Sequence, residues 1–124
     1  MVIKGAGKGF CAGGDVVTLA RQNAAGRADE STRFFAAEYR LNHLIATYSK
    51  PYVALMDGHT MGGGIGLSVH APFRIATERT VAAMPETRIG FFPDVGASFF
   101  LPRLDGLIGT YLALTSASLK GVQA

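Results

Sequence analysis

The chain has 124 residues, of which 48% are hydrophobic, and its formal net charge is +3 at pH 7. This length suits one domain, and the apolar fraction excludes a disordered chain. No apolar run is long enough to span a bilayer, so we expect no membrane partner. The sequence contains no basic cluster interleaved with aromatic residues, so we expect no nucleic-acid partner.

The order of the predicted elements alternates between strands and helices, which indicates an α/β chain with a largely parallel sheet. Residues 23–31 are polar and small, and they are predicted to form a mobile surface loop. The elements, in chain order, are a strand at 2–4, a glycine-rich loop at 5–15, helices at 16–21 and 32–48 (capped by Ser31 or Thr32), a strand at 52–56, a helix at 65–70, strands at 73–76 and 81–84, and helices at 94–101 and 109–115.

The first residues, Val2 to Lys4, form a strand with no signal or transit segment before it. A parallel strand normally pairs with neighbours earlier in the sheet, so this start looks like a cut. We therefore expect residues 1–124 to be a partial domain. Its exposed edge and apolar surface favour self-association.

Two segments share one design, in which a buried strand leads through a glycine-rich turn into a helix. Gly13-Gly14 ends the first turn, and Gly62-Gly63-Gly64 ends the second. Backbone N–H groups at a helix start lack intrahelical partners, and glycine lets a substrate oxygen approach them. Two such turns facing each other would stabilise an oxyanion, although both could equally be tight turns that only let helices pack on strands.

Two acidic residues stand among apolar neighbours. Glu86 follows Met84-Pro85, and Asp94 follows Pro93. Burial there would raise the pKa of either carboxyl toward neutrality, which suits a base, acid or nucleophile. Asp94 could instead be only a helix N-cap, and Glu86 only a satisfied turn residue. Glu38 lies in the amphipathic helix, where a solvated charge is the default.

Cys11 is the only cysteine, so no internal disulfide can form. The three histidines stand in neither a nucleophile signature nor a metal-ligand spacing. We therefore predict no catalytic cysteine and no metal. The run from Gly5 lacks the third glycine of a dinucleotide loop, and Gly9 stands where a P-loop needs Ser or Thr.

Three segments resemble the crotonase superfamily. Residues 8–15 (KGFCAGGD) resemble its first oxyanion turn, and residues 50–64 (KPYVALMDGHTMGGG) resemble the second. Residues 84–96 (MPETRIGFFPDVG) resemble the 3-hydroxyisobutyryl-CoA hydrolase branch of that superfamily. The resemblance implies a β-β-α spiral core, here incomplete at both ends, within a partial crotonase domain at 1–124.

The resemblance also implies a function, namely hydrolysis of the 3-hydroxyisobutyryl-CoA thioester in valine breakdown. The backbone N–H groups of Gly14 and Gly63 would form the oxyanion hole. Glu86 and Asp94 would be the catalytic carboxylates, which also bind substrate, and Glu38 would contact the substrate. CoA is part of the substrate, so no separate cofactor is implied. The resemblance suggests a mitochondrial location.

Two other functions remain open. The first is an enoyl-CoA hydratase or isomerase, but hydratases of the superfamily carry a second catalytic glutamate where this chain has Gly66. The second is a chain that binds acyl-CoA or a partner without catalysis.

Overall fold

The computed structural model describes all of residues 1–124, in which seven strands form two sheets. The strands are β1 (Val2–Lys4), β2 (Gly9–Cys11), β3 (Val53–Met56), β4 (His59–Met61), β5 (Phe73–Ala76), β6 (Val81–Ala83) and β7 (Ser118–Lys120). The α-helices are α1 (Val16–Ala24), α2 (Ala28–Ala46), α3 (Gly63–Ser68), α4 (Ala97–Phe100) and α5 (Ile108–Thr115). Short 3-10 helices lie at Glu86–Ile89, Leu101–Arg103 and Gly121–Gln123.

The two sheets are built from alternating strands of the chain. One sheet has the order β1-β3-β5 and is parallel throughout. The other has the order β2-β4-β6-β7, in which only β7 is antiparallel to its neighbour. Each strand of the first sheet is followed by one of the second, and helices then return the chain. This repeat is the predicted β-β-α arrangement with largely parallel sheets.

Two predicted loops contain regular structure. The loop at 5–15 includes β2, whose Phe10 is buried and whose backbone pairs with β4. The predicted mobile loop at 23–31 is mostly helical, because α1 runs to Ala24 and α2 begins at Ala28. Ser31 therefore lies inside α2, and its hydroxyl donates to Asn23 Oδ1 at 2.8 Å instead of capping the helix.

The predicted role of Asp94 as a helix cap is also wrong. Helix α4 starts at Ala97, three residues later than predicted, and its N-cap is Gly96. Only the backbone carbonyl of Asp94 takes part, accepting the Ala97 N–H at 2.7 Å. The Asp94 side chain is therefore free for another purpose.

Two small apolar cores hold the elements together. The first core joins α2 to both sheets, and the second lies beneath α3 and α4. The members are Phe10, Ile45, Tyr52, Ala54, Met56 and Ala71 in the first, and Ile65, Ala82, Met84, Val95, Ala97 and Leu101 in the second.

Gly66 sets the distance between α2 and α3. A Cβ on Gly66 would lie 2.8 Å from both Asn42 Nδ2 and Val95 Cβ, which is closer than real Cβ atoms approach. The Asn42 amide donates to the Gly66 carbonyl at 3.1 Å. The missing side chain of Gly66 therefore lets α2, α3 and the segment around Val95 pack closely. No helix of the chain has the length and apolarity to cross a membrane.

Candidate active site

The two glycine turns meet at the start of α3. A Cβ on Gly13 would lie 3.2 Å from the backbone nitrogen of Gly63 and 3.3 Å from the carbonyl oxygen of Met61. Gly13 also has a φ of 96°, a left-handed conformation that favours glycine. The backbones of the two turns therefore approach each other more closely than side chains would allow.

Both turns offer backbone donors at this junction. Gly14 lies outside every helix and strand, and its N–H donates to no group of the chain. Gly63 is the first residue of α3, so its N–H has no intrahelical partner. A Cβ on Gly14 would lie 2.6 Å from the ring of Phe34, and one on Gly63 would lie 2.6 Å from Glu38 Oε1. Two N–H donors thus stand beside an aromatic ring and a carboxylate.

Glu86 is buried next to the second turn. The residue is only 6% exposed, and its Oε2 has no hydrogen-bond partner. A Cβ on Gly62 would lie 3.1 Å from its Oε1. Burial raises the pKa of Glu86 to about 7, with further increases from the nearby charges of Asp94 and Glu38, while a hydrogen bond from its own backbone opposes the rise. The carboxyl is therefore poised between its charged and neutral forms near pH 7.

Glu38 and Asp94 complete a group of three carboxylates. Glu38 projects from α2 and is half-buried. Burial raises the pKa of Glu38, and the charge of Asp94 raises it further. Asp94 accepts a hydrogen bond from the Tyr39 hydroxyl at 2.8 Å. The structure thus brings Glu38, Glu86 and Asp94 together around the glycine turns, although they belong to three separate segments.

Aromatic rings connect α2 to the segment that carries the two later carboxylates. Phe35 stacks on Phe91 with ring centroids 5.7 Å apart, and Phe91 stacks on Phe92 at 4.4 Å. Tyr39 packs at 5.8 Å from Phe35. These contacts fix the position of Glu38 relative to Asp94. The sequence did not predict the roles of these rings or of Tyr39. The only feature that could have indicated Tyr39 is its position next to Glu38.

The backbone beside Asp94 is held in an unusual conformation. Val95 has a φ of 44°, which β-branched residues rarely adopt, and Gly96 has a φ of 85°. His70 forms a 2.7 Å hydrogen bond between its Nε2 and the Val95 carbonyl. Val95 is also 1% exposed within the second core. Packing and this hydrogen bond together maintain the local strain.

Comparison with known proteins identifies the family. The enoyl-CoA hydratase/isomerase family matches residues 1–124. The chain belongs to this family. Its fold is shared with a solved enoyl-CoA hydratase from Rhodobacter sphaeroides, at 45% identity and a TM-score of 0.95 over 99% of the chain and 37% of the hydratase. A carnitinyl-CoA dehydratase from Mycobacterium thermoresistibile matches at 48% identity and a TM-score of 0.93, over 98% of the chain and 36% of the dehydratase. The predicted crotonase-like fold is confirmed.

The longer relatives of this chain include both a hydrolase and a ribosomal protein. The chain is 61% identical to the mitochondrial 3-hydroxyisobutyryl-CoA hydrolase of Danio rerio, over 98% of the chain and 32% of the hydrolase. It is 71% identical to the small ribosomal subunit protein mS47 of Neurospora crassa, over 99% of the chain and 25% of that protein. The chain thus spans a quarter to a third of these relatives. The predicted resemblance to the hydrolase branch is confirmed.

Proposed function

We propose that this chain carries the reacting groups of an acyl-CoA thioester hydrolase that acts on 3-hydroxyisobutyryl-CoA. The observation that carries the proposal is the buried, unpartnered carboxyl of Glu86 beside two facing glycine turns. The hydrolase name of relatives such as the Danio rerio protein supports the choice of substrate. That relative is mitochondrial by name, and we propose the same location for this protein, within valine breakdown.

The glycine turns would stabilise the transition state. As the thioester carbonyl is attacked, negative charge develops on its oxygen. The N–H groups of Gly14 and Gly63 would donate to that oxygen. One oxyanion donor of this kind is worth about 2.7–4 kcal/mol. The donors sit on turns that already touch, so little reorganisation is needed when charge appears.

The carboxylates would divide the remaining work. Glu86 either attacks the carbonyl carbon or activates the attacking water, and its pKa of about 7 leaves a substantial ionised fraction at neutral pH. Asp94 handles protons or holds the 3-hydroxyl of the substrate, and Glu38 contacts the substrate. CoA is the handle by which the substrate is bound, and the proposal requires no separate cofactor or metal.

The environment of Gly66 disfavours the hydratase alternative. A Cβ at position 66 would already lie 2.8 Å from both Val95 Cβ and Asn42 Nδ2. A second catalytic glutamate therefore cannot be accommodated there without repacking α2 against α3. The structure offers no substitute carboxylate on α3, whose residues from Gly63 to Ser68 carry no acidic group.

A second candidate function follows from the 71% identity to mS47 of Neurospora crassa. The protein would then be a component of a small ribosomal subunit. The two functions are compatible, because a subunit can retain a catalytic site. The intact set of Glu38, Glu86 and Asp94, with the raised pKa of Glu86, favours catalysis over an inherited fold without chemistry.

The test is release of free CoA from 3-hydroxyisobutyryl-CoA, followed with a thiol reagent. Two proteins are compared: the 124-residue chain, and a chimera in which it replaces the matching segment of the Danio rerio hydrolase. The chimera should release CoA from this substrate, and crotonyl-CoA should yield no hydrated product. A folded chimera that releases no CoA would refute the proposal. Association of the chain with ribosomal particles tests the second candidate separately.

A further inference from the structure

Tyr39 makes a contact that the proposed chemistry has not yet used. Its hydroxyl donates to Asp94 Oδ2 at 2.8 Å, and this is the only hydrogen bond that the Asp94 carboxylate accepts. Tyr39 follows Glu38 on α2, and both residues interact with Asp94, Glu38 through its charge and Tyr39 through its hydroxyl. The ring packs beside Phe35, which itself stacks on Phe91. The hydroxyl is therefore held by its hydrogen bond to Asp94 and by the packing of its ring.

We propose that Tyr39 is a positioning residue that fixes the direction of the Asp94 carboxylate while Glu86 reacts with the thioester. The inference rests on the proposed function and deepens it. It assigns a task to a side chain that sequence reasoning did not single out.

The charges in the site explain why such a donor is needed. Three groups interact with the Asp94 carboxylate: Glu38 and Tyr39 on α2, and Glu86 at the start of the 3-10 helix. His70 is bonded to the carbonyl of the next residue, Val95. Carboxylates this close disfavour one another's charged forms. A hydrogen bond donated to Asp94 offsets part of this repulsion and holds its carboxylate in one direction.

Tyr39 is suited to donating a hydrogen bond and unsuited to transferring a proton. Burial raises the pKa of Tyr39, and the hydrogen bond to Asp94 and the charges of Asp94 and Glu38 raise it further. The phenol therefore keeps its proton throughout the neutral range. A group that does not titrate near the working pH is a poor general acid or base. Tyr39 is therefore suited to positioning Asp94 and not to transferring a proton during the reaction.

The backbone beside Asp94 is fixed independently of Tyr39. The Val95 carbonyl is bonded to His70, and the Val95 side chain is buried in the second core. Removing the Tyr39 hydroxyl should therefore release the Asp94 carboxylate without unfolding the segment that carries it. A positioning role and a structural role then give different experimental results.

The first experiment is Tyr39→Phe in the chimera described above, which keeps the ring and removes the hydroxyl. Loss of a hydrogen bond to a charged group should lower kcat by about tenfold or more, with KM changed far less. Tyr52→Phe is the matched control, because it removes a phenol that donates to the Leu67 carbonyl at 3.1 Å. Equal kcat and KM values for Tyr39→Phe and Tyr52→Phe would overturn the inference.

The second experiment does not depend on activity. In the chimera, Asp94→Asn removes the charged acceptor of this hydrogen bond, so the Tyr39 phenol should ionise at lower pH than in the unaltered protein. Ultraviolet absorbance of the phenolate provides the measurement, and it remains available if Tyr39→Phe fails to fold. An unchanged titration of Tyr39 in Asp94→Asn refutes the linkage. Absence of hydrolysis by the unaltered chimera counts instead against the proposed function, so the two failures are distinguishable.

Discussion

The backbone of Gly63 lies directly against the carboxylate of Glu38. A Cβ built on Gly63 would be 2.6 Å from Glu38 Oε1, and 3.4 Å from the Cα of Gly13. One glycine therefore keeps the two turns together and also leaves room for an acidic side chain from α2. A residue with a side chain at this position would disturb the proposed N–H donor and a proposed substrate contact at once.

Gly63→Val should lower kcat strongly for this reason. The branched side chain would displace Glu38 and turn the N–H away from the carbonyl oxygen. We expect a loss of roughly 100- to 1,000-fold, the scale of one oxyanion donor. Steady-state kinetics on the chimera provide the measurement. Gly26→Ala is the control for backbone strain alone, because Gly26 has a positive φ, of 75°, but a Cβ there meets nothing within 4 Å. A rate within threefold of the unaltered protein would refute the paired-turn oxyanion hole.

Glu86→Gln should abolish turnover and leave CoA affinity nearly unchanged. The amide matches the carboxyl in shape but can neither attack the thioester nor accept a proton from water. Turnover is followed as CoA release, and affinity is followed by calorimetric titration with CoA. Substantial hydrolysis by this variant would remove Glu86 from its proposed role, whatever the effect on binding.

The same substitution should change how stability depends on pH. Burial raises the pKa of Glu86 to about 7 in the folded chain, whereas in the unfolded chain it returns to about 4.3. The folded state therefore holds a proton that the unfolded state has released between these values. Its stabilising effect is complete below the unfolded pKa and is lost as pH rises through 7. For the wild type, we expect the free energy of unfolding to fall by about 1–3 kcal/mol between pH 4.5 and 8 from this group.

Glu86→Gln should remove that contribution. Urea unfolding of both proteins at several pH values measures the effect, and the difference between the two pH dependences isolates Glu86. An identical pH dependence in both proteins would mean that the Glu86 pKa does not differ between the folded and unfolded states.

Much of this site could be predicted from the sequence, because glycine runs and isolated acids are local signals. Gly63, Glu86 and Asp94 stand next to strands and turns that are readable from neighbouring letters. Sequence reasoning could not show that Asp94 accepts a hydrogen bond from Tyr39, since the two residues meet only when α2 packs on the segment after β6. It also gave Asp94 a possible capping role that the left-handed Gly96 takes instead.

The elements that could not be predicted from the sequence have two separate physical causes. Strands β2, β4 and β7 have three residues each and gain their order by pairing with distant strands. Such short strands leave little periodic pattern in the sequence. The start of α2 was missed because residues 28–31 (ADES) contain no large apolar side chain, although Asp29 and Glu30 suit the first turn of a helix.

Gly66→Ala should destabilise the chain despite the higher helix propensity of alanine. Alanine is favoured over glycine in a helix interior by about 1 kcal/mol. The new Cβ, however, would stand 2.8 Å from Val95 Cβ and Asn42 Nδ2, and overpacking of this kind costs about 1–3 kcal/mol. It would also disturb the Asn42 hydrogen bond to the Gly66 carbonyl. We expect a lower Tm by calorimetry, and an unchanged or higher Tm would contradict the close packing of α2 on α3.

The last prediction concerns self-association through the sheet edge at β5. This strand is paired only with β3, so its other edge is open. Phe73 and Ile75 on this strand are 54% and 50% exposed. Unpaired edges with apolar side chains promote pairing between copies.

Light scattering of the isolated chain should therefore show species larger than a monomer. Ile75→Lys should reduce them, because a charged edge residue opposes such pairing. Leu44→Lys is the matched control, since Leu44 is 55% exposed but belongs to helix α2 and to no strand. Equal effects of both substitutions would point to general apolar adhesion, and a monodisperse wild type would contradict the prediction altogether.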